Sequence, residues 1–221
     1  MIHYDQIRQD HAITTYIERA DQSLLALGYT EHRFAHACRV ASVAGDLLAT
    51  LQKDERTVEL ARIAGYMHDI GNLVNRVDHS QSGAIMAFRL LDRMGMPPEE
   101  IATVVTAIGN HDEGTGVPVD DVSAALILAD KSDVRRSRVR TISPATLAHD
   151  IHDRVNYSVT ASELKVSADK TELELALTVD TQYGSIMDYF EIFLDRMNLC
   201  RRAAERLGLR FRLRINEQLF L

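Results

Sequence analysis

DERTVELARIAGYMHDIG, residues 54–71, is the stretch that decides the fold. Behind Asp54, Val58, Ala61 and Gly65 recur at helical spacing. A helix is therefore predicted whose buried stripe carries His68 to its C-terminal end, with Asp69 at the frayed end and Gly71 closing it. An imidazole and a carboxylate brought side by side to an apolar face need partners, because burying such groups unpaired costs several kcal/mol.

Upstream, one helix is predicted from about Asp5 to Gly28. A second runs from after Thr30 to about Gln52, with Val40, Val43 and Leu47 marking its inward stripe. His36 lies on that stripe, four residues before Val40. Downstream, Asp78 reads as the N-cap of a helix from His79 to Met94 that stops at Gly95. The pair Pro97-Pro98 opens the next helix, whose Ile101, Val104, Val105 and Ile108 direct His111 inward. The Gly-rich turn Glu113 to Pro118 leads to a strongly apolar helix from about Asp121, where Val122, Leu126 and Asp130 share a face. An acid thus stands where a leucine is expected.

Beyond the basic stretch Arg135 to Arg140, a short helix is predicted to open at Ser143-Pro144, and near Asn156 the hydrophobic period changes from helical to two. Leu173, Leu175, Leu177 and Val179 alternate with polar residues. With Val159 to Val166 and a turn at Ala168-Asp169-Lys170 they predict a hairpin. A helix from about Ser185 to Leu207 stops at Gly208, and Arg210 to Ile215 alternates as a third strand on the hairpin. The predicted fold is mainly α: a helical bundle over residues 1–155 and a small C-terminal α+β unit over 156–221, built as antiparallel hairpin, helix and third strand. That unit reads equally as a substrate cap, a regulatory module or, through its exposed strand edge, the interface of a homodimer.

Bulk composition narrows the function. Of 221 residues, 46% are hydrophobic and 26% charged, the balance of an ordinary globular protein that buries a core without staples. A net charge of −7 argues against a surface built to neutralise duplex nucleic acid. Cys38 and Cys200 lack C-x-x-C spacing and read as small buried hydrophobes, which fits a reducing cytoplasm. The first ten residues carry Asp5, Arg8 and Asp10 where a signal peptide needs an apolar run. No stretch approaches the roughly 18 apolar residues of a membrane span.

His36, His68, Asp69 and Asp130 on buried helix faces form a set that a divalent cation stabilises most simply. Asp and His without clustered cysteine suit Mn, Fe, Co, Ni, Zn or Mg. The same residues carry a resemblance: His36 in HACRVA, the pair in MHDIG and Asp130 after Ala129 are similar to the H…HD…D signature of the HD superfamily of metal-dependent phosphohydrolases, across roughly residues 30–135. That resemblance implies an HD-type helical domain in which these four residues chelate a metal. It further implies, from the binuclear branch, that Asp69 bridges to a second metal held by His79 and His111.

His111 to Pro118 resembles a shortened HD-GYP loop (HHExxDGxGYP), although Asn110 replaces its first His and Val117 its Tyr. Asn72 stands where many HD hydrolases have a phosphate-contacting Lys. Lys131, Arg135, Arg136 and Arg138 are therefore the candidates to meet substrate phosphate. The implied activity is hydrolysis of a phosphomonoester or phosphodiester of a small soluble substrate, a nucleotide by the habit of the superfamily, with Asp69 central and Asp112 or Glu113 relaying a proton. Two rivals share the residues: a di-iron oxygenase with the same six ligands, and a nucleotide sensor without turnover. His32, four residues before His36, is left out of the candidate set, and His11, His149 and His152 read as surface residues.

Overall fold

The computed structural model describes residues 1–140 and 150–221. The helix expected from Asp5 to Gly28 is two, α1 (Tyr4–Gln9) and α2 (His11–Ala26). Asp10 divides them: its carboxylate accepts the Ala12 and Ile13 N–H groups at 2.9 and 3.0 Å, and an N-cap cannot sit inside a continuous helix. α3 (Phe34–Thr50) and α4 (Glu55–Met67) follow, and α4 is capped by Asp54, which takes the Thr57 N–H at 3.0 Å. These two helices touch at backbone distance. A Cβ on Gly65 would stand 2.8 Å from the Ala41 Cα, so glycine here sets how closely the helices that carry His36 and His68 approach.

α4 ends at Met67, earlier than the Gly71 expected from sequence, and His68 is its cap residue. Asp69 leaves helical geometry, and a 3-10 turn, Ile70–Leu73, follows. Gly71 has a different task from ending a helix. A Cβ there would meet the His79 carbonyl at 1.9 Å and the Gly83 nitrogen at 2.4 Å, so the turn lies directly on the start of α5 (His79–Arg93). Asp78 precedes α5 in the left-handed region (φ 56°) and makes no side-chain cap; its carbonyl accepts from Gln81 and Ser82 instead.

α6 (Pro98–Gly109) leads to α7 (Asp121–Lys131), whose residues from Val122 to Ala129 are all buried. A helix apolar all round belongs in the middle of a structure, and α7 packs on α3, α4 and α6. A 3-10 turn at Arg136–Arg138 comes next. The helix expected at Ser143-Pro144 lies outside the described residues. α8 (Ile151–Ser158) runs through the expected boundary at 155/156 and passes directly into β1 (Val159–Val166).

β1 and β2 (Glu172–Val179) form the antiparallel hairpin, with Lys170 at positive φ in its turn. α9 (Ile186–Arg206) starts at Ser185, whose hydroxyl accepts the Asp188 N–H, and crosses to β3 (Arg210–Ile215). β3 pairs parallel with β2, matching Leu173 with Phe211, Leu175 with Leu213 and Leu177 with Ile215. A short β4 (Gln218–Leu219), which the sequence reading lacked, completes the order β1-β2-β3-β4. The architecture is mainly α with a small C-terminal α+β unit. α9 packs on α7, and the buried apolar residues of bundle and sheet form one core.

Candidate metal centre

Four helix ends and the turn after α4 converge on one buried cluster. His36 comes from the first turn of α3, His68 and Asp69 from the end of α4, His79 from the start of α5, His111 from the end of α6 and Asp130 from the end of α7. The four imidazoles are at most 2% exposed.

Each ring is oriented through Nδ1. His36 donates to the Asp133 carboxylate at 2.7 Å, His68 to the Gly65 carbonyl at 2.8 Å, His111 to the Ile108 carbonyl at 2.6 Å and His79 to the Arg76 carbonyl at 3.1 Å. The Asp133 carboxylate and the Gly65 and Ile108 carbonyls only accept, so the Nδ1 atoms of His36, His68 and His111 carry a proton and their Nε2 atoms face inward, while His79 Nδ1 also has Arg76 Nη1 at 3.2 Å. The Nε2 atoms meet: those of His36 and His68 are 3.2 Å apart, and those of His79 and His111 are 3.3 Å apart. Each pair has room for one proton at most.

The carboxylates complete two groups. Asp69 Oδ2 lies 3.6 and 3.3 Å from the Nε2 atoms of His36 and His68, and Asp130 Oδ1 lies 3.4 and 3.6 Å from the same atoms. The other Asp69 oxygen, Oδ1, faces His79 Nε2 at 3.4 Å. Two nitrogens about 2.1 Å from one ion are separated by about 3.0 Å at a right angle and about 3.4 Å at the tetrahedral angle, so these spacings suit a cation. One ligand atom from each of His36, His68 and Asp130, and likewise of His68, Asp69 and His111, falls within 4.8 Å of the others. The donor set, imidazole nitrogen with carboxylate oxygen, fits a borderline or hard divalent metal.

The electrostatics point the same way. Burial pulls the His68 imidazole down, but the carboxylates of Asp69 and Asp130 outweigh it and hold the ring up at about 10. Burial raises Asp69 and Asp130, yet the His68 charge for the first and Lys131 for the second keep both well below the usual range. His111 is driven far down by burial, then by His68 and Lys131, and burial also lowers His79. The carboxylate side therefore demands positive charge, while the His79–His111 side refuses protons.

Several supporting residues were not visible in the sequence. Asp133, fully buried, holds His36 Nδ1 and lies 2.7 Å from Arg135 Nε and 3.0 Å from Arg39 Nε. Its place three residues after Asp130 was the available signal. Asn72 gives its amide N–H to the Asp69 carbonyl and to Oδ1, at 2.9 and 3.0 Å, and so orients the central carboxylate. Arg76, three residues before His79, sets Nη1 3.1 Å from its Nε2 and lies against the Tyr29 ring. His32 stacks edge-on against His36 at 5.5 Å, as the four-residue spacing allows. Arg196 on α9 binds Glu113 at 2.6 Å, a tertiary contact with no local signature.

The expected phosphate-binding residues are dispersed. Lys131 is buried between Asp130 Oδ2 at 2.7 Å and Glu113 Oε1 at 3.5 Å. Arg135 serves Asp133 and Ser137, while Arg136 bonds the Tyr157 carbonyl and Asp180 with its guanidinium over the Tyr157 ring. Arg135 is thus spent on the carboxylate that holds His36, and Arg136 on partners of the C-terminal unit. Arg138 bonds the carbonyls of Glu31 and Asp133 beside it. Asp112 is half-buried and acts on His79 through its charge. His11 and His152 are exposed, and His149 lies outside the described residues.

Residues 33–135 match the family model of the HD domain, a span that includes all six clustered residues. An uncharacterized protein of Methanocaldococcus jannaschii is 25% identical over 204 residues, covering 82% of this chain and 77% of that protein. The crystal structure of a predicted HD superfamily hydrolase from an uncultured Thermotogales bacterium aligns with a TM-score of 0.45 and 28% identity, over 56% of this chain and 67% of that one. Among the described residues no helix is long and apolar enough to cross a membrane.

Proposed function

We propose that this protein is a metal-dependent phosphohydrolase that cleaves a phosphoester of a small soluble substrate and holds two divalent cations through a bridging Asp69. The observation that carries the reading is the facing of four Nε2 atoms, in two pairs at 3.2 and 3.3 Å, with Asp69 Oδ2 turned to His68 of one pair and Oδ1 to His79 of the other. His36, His68, Asp69 and Asp130 would hold one cation, and Asp69, His79 and His111 would hold the other. Divalent ions bound there supply Lewis acidity toward a phosphoryl oxygen and lower the pKa of water to about 7.

The chain's own residues do the rest. Arg76 is half-buried, touches His79 and has no carboxylate partner among the described residues, so its guanidinium meets the phosphate charge that the missing Lys at position 72 leaves unmet. Arg138 stands beside the cluster on backbone carbonyls and adds to that charge. Burial raises Glu113, but Arg196 and Lys131 more than offset it and hold the carboxyl at about 2. An acid so readily ionised places its two cations and does not carry a proton near neutral pH.

Phosphate release from simple phosphomonoesters, phosphodiesters and nucleotides, measured with Mn, Fe, Co, Ni, Zn and Mg in turn, tests the reading. Turnover with at least one metal is expected, with loss of both metal and turnover in Asp69→Ala and a raised KM with metal retained in Arg76→Ala. Oxygen uptake by an iron-loaded protein without phosphate release, or tight nucleotide binding without turnover under every metal, would overturn it.

A further inference from the structure

A cavity of about 340 Å³ opens beside the cluster. Arg76, Arg138 and Arg196 line it, and each also touches a residue at or next to the metal ligands: Arg76 meets His79, Arg138 the Asp133 carbonyl and Arg196 Glu113. Another wall is α8, whose Asp153 and Asn156 are three residues apart and so share a helix face. These two are buried, at 8% and 7% exposure.

The α8 wall offers the Asp153 carboxylate beside the Asn156 amide. Asn156 gives one amide N–H to the His152 carbonyl at 2.9 Å, which leaves its second N–H to donate and Oδ1 to accept. Among the described residues no donor reaches that oxygen or the Asp153 carboxylate. A carboxylate beside an amide selects a ligand that both donates and accepts. Hydroxyls do both, whereas an ammonium only donates and would leave the Asn156 N–H unmet. Burial, with Asp150 next, raises the Asp153 carboxyl, which further suits an uncharged partner.

We propose that Asp153 and Asn156 read adjacent hydroxyls of a sugar phosphate, either free or as the ribose of a nucleotide, while the arginines hold its phosphate. The inference rests on the phosphohydrolase reading only for the bond that is broken; the wall itself is tested by binding. The experiment is calorimetric titration of the full chain, with EDTA present so that nothing turns over. Ribose 5-phosphate is compared with 2-deoxyribose 5-phosphate, and AMP with 2′-deoxy-AMP.

The hydroxyl-bearing member of at least one pair is expected to bind about tenfold or more tightly, the worth of a hydrogen bond to a charged acceptor. Which pair shows it separates free sugar phosphate from nucleotide. Asp153→Leu and Asn156→Leu should bring the ratio close to one, and Asp153→Asn should keep part of it. If the leucine variants melt early, Asp153→Ser, too short to reach the hydroxyls, replaces them. Equal affinities in both pairs, no binding of any of the four, or an Asp153→Leu protein that keeps the preference would overturn the proposal. A hydroxyl preference in a protein that releases phosphate from nothing would leave this wall standing and sink the hydrolase reading instead.

Discussion

Replacing Asp133 by asparagine removes a charge and almost no volume from a carboxylate that is fully buried. Its Oδ2 accepts the His36 Nδ1 proton at 2.7 Å, which leaves the His36 lone pair on Nε2, 3.2 Å from His68 Nε2. An asparagine can set its NH2 against Nδ1. The His36 proton then moves to Nε2 and points into the cluster where a ligand atom is needed. Loss of such an orienting partner weakens metal binding by about 10- to 100-fold, or about 1.4 to 2.7 kcal/mol. The substitution also removes charge from Arg39, Arg135 and Arg138, whose side chains are 40%, 23% and 7% exposed. The first two recover hydration and Arg138 does not, so the fold loses about 3 kcal/mol, between an exposed pair and a sealed one. Competition with a chromophoric chelator, run beside a denaturant melt, separates the two effects. An Asp133→Asn protein that binds metal with the parental affinity would refute the tautomer reasoning.

Two further predictions concern packing and pH. Gly71→Ala drives a methyl into the His79 carbonyl and the Gly83 nitrogen, backbone atoms that cannot swing aside, so a melt should show a loss of about 3 kcal/mol or more, accompanied by weaker metal binding at the His79 side. Glu113 is held at about 2 against an ordinary 4.5, so its contribution is full above about pH 4.5 and is lost as pH falls toward 2. That contribution is about 3 kcal/mol at most, and Glu113→Gln should flatten the stability curve in that window while leaving its slope above pH 5 unchanged.

Helix content and the inward aim of the chemical residues were legible because both depend on local period. Val40 and Leu47 place His36 on the buried stripe of α3, and Val122 with Leu126 does the same for Asp130. The hairpin, α9 and third strand were readable from alternation in Leu173 to Val179 and Phe211 to Ile215. Details that depend on close approach were not. Gly71 looks like a helix stop in sequence, yet it is there because α5 lies on the turn. Asp78 looks like a cap but adopts φ 56° and caps nothing with its side chain. Asp10, a true cap, was overlooked because the hydrophobic stripe continues through Ile7, Ile13 and Ile17 on both sides of it.

The cations show the same limit. A basic run after Asp130 suggests a phosphate clamp, but Arg135 and Arg136 are drawn to Asp133 and Asp180, partners that only the folded chain supplies. Arg76 reaches His79 from a turn three residues upstream, while Arg196 reaches Glu113 from α9 at a sequence distance no pattern links. Asp133 is the omission with a signal, since a carboxylate three residues past Asp130 near a helix end can turn back toward the same site.

The most direct measurement is the number of metal equivalents that the chelator-stripped full chain takes up in a Mn titration. Two per chain are expected in the parent, one in His79→Ala or His111→Ala, and none held tightly in Asp69→Ala. A chain that takes up no metal, or keeps its full complement when Asp69 is replaced, would contradict the claim that these lone pairs face one another to share cations.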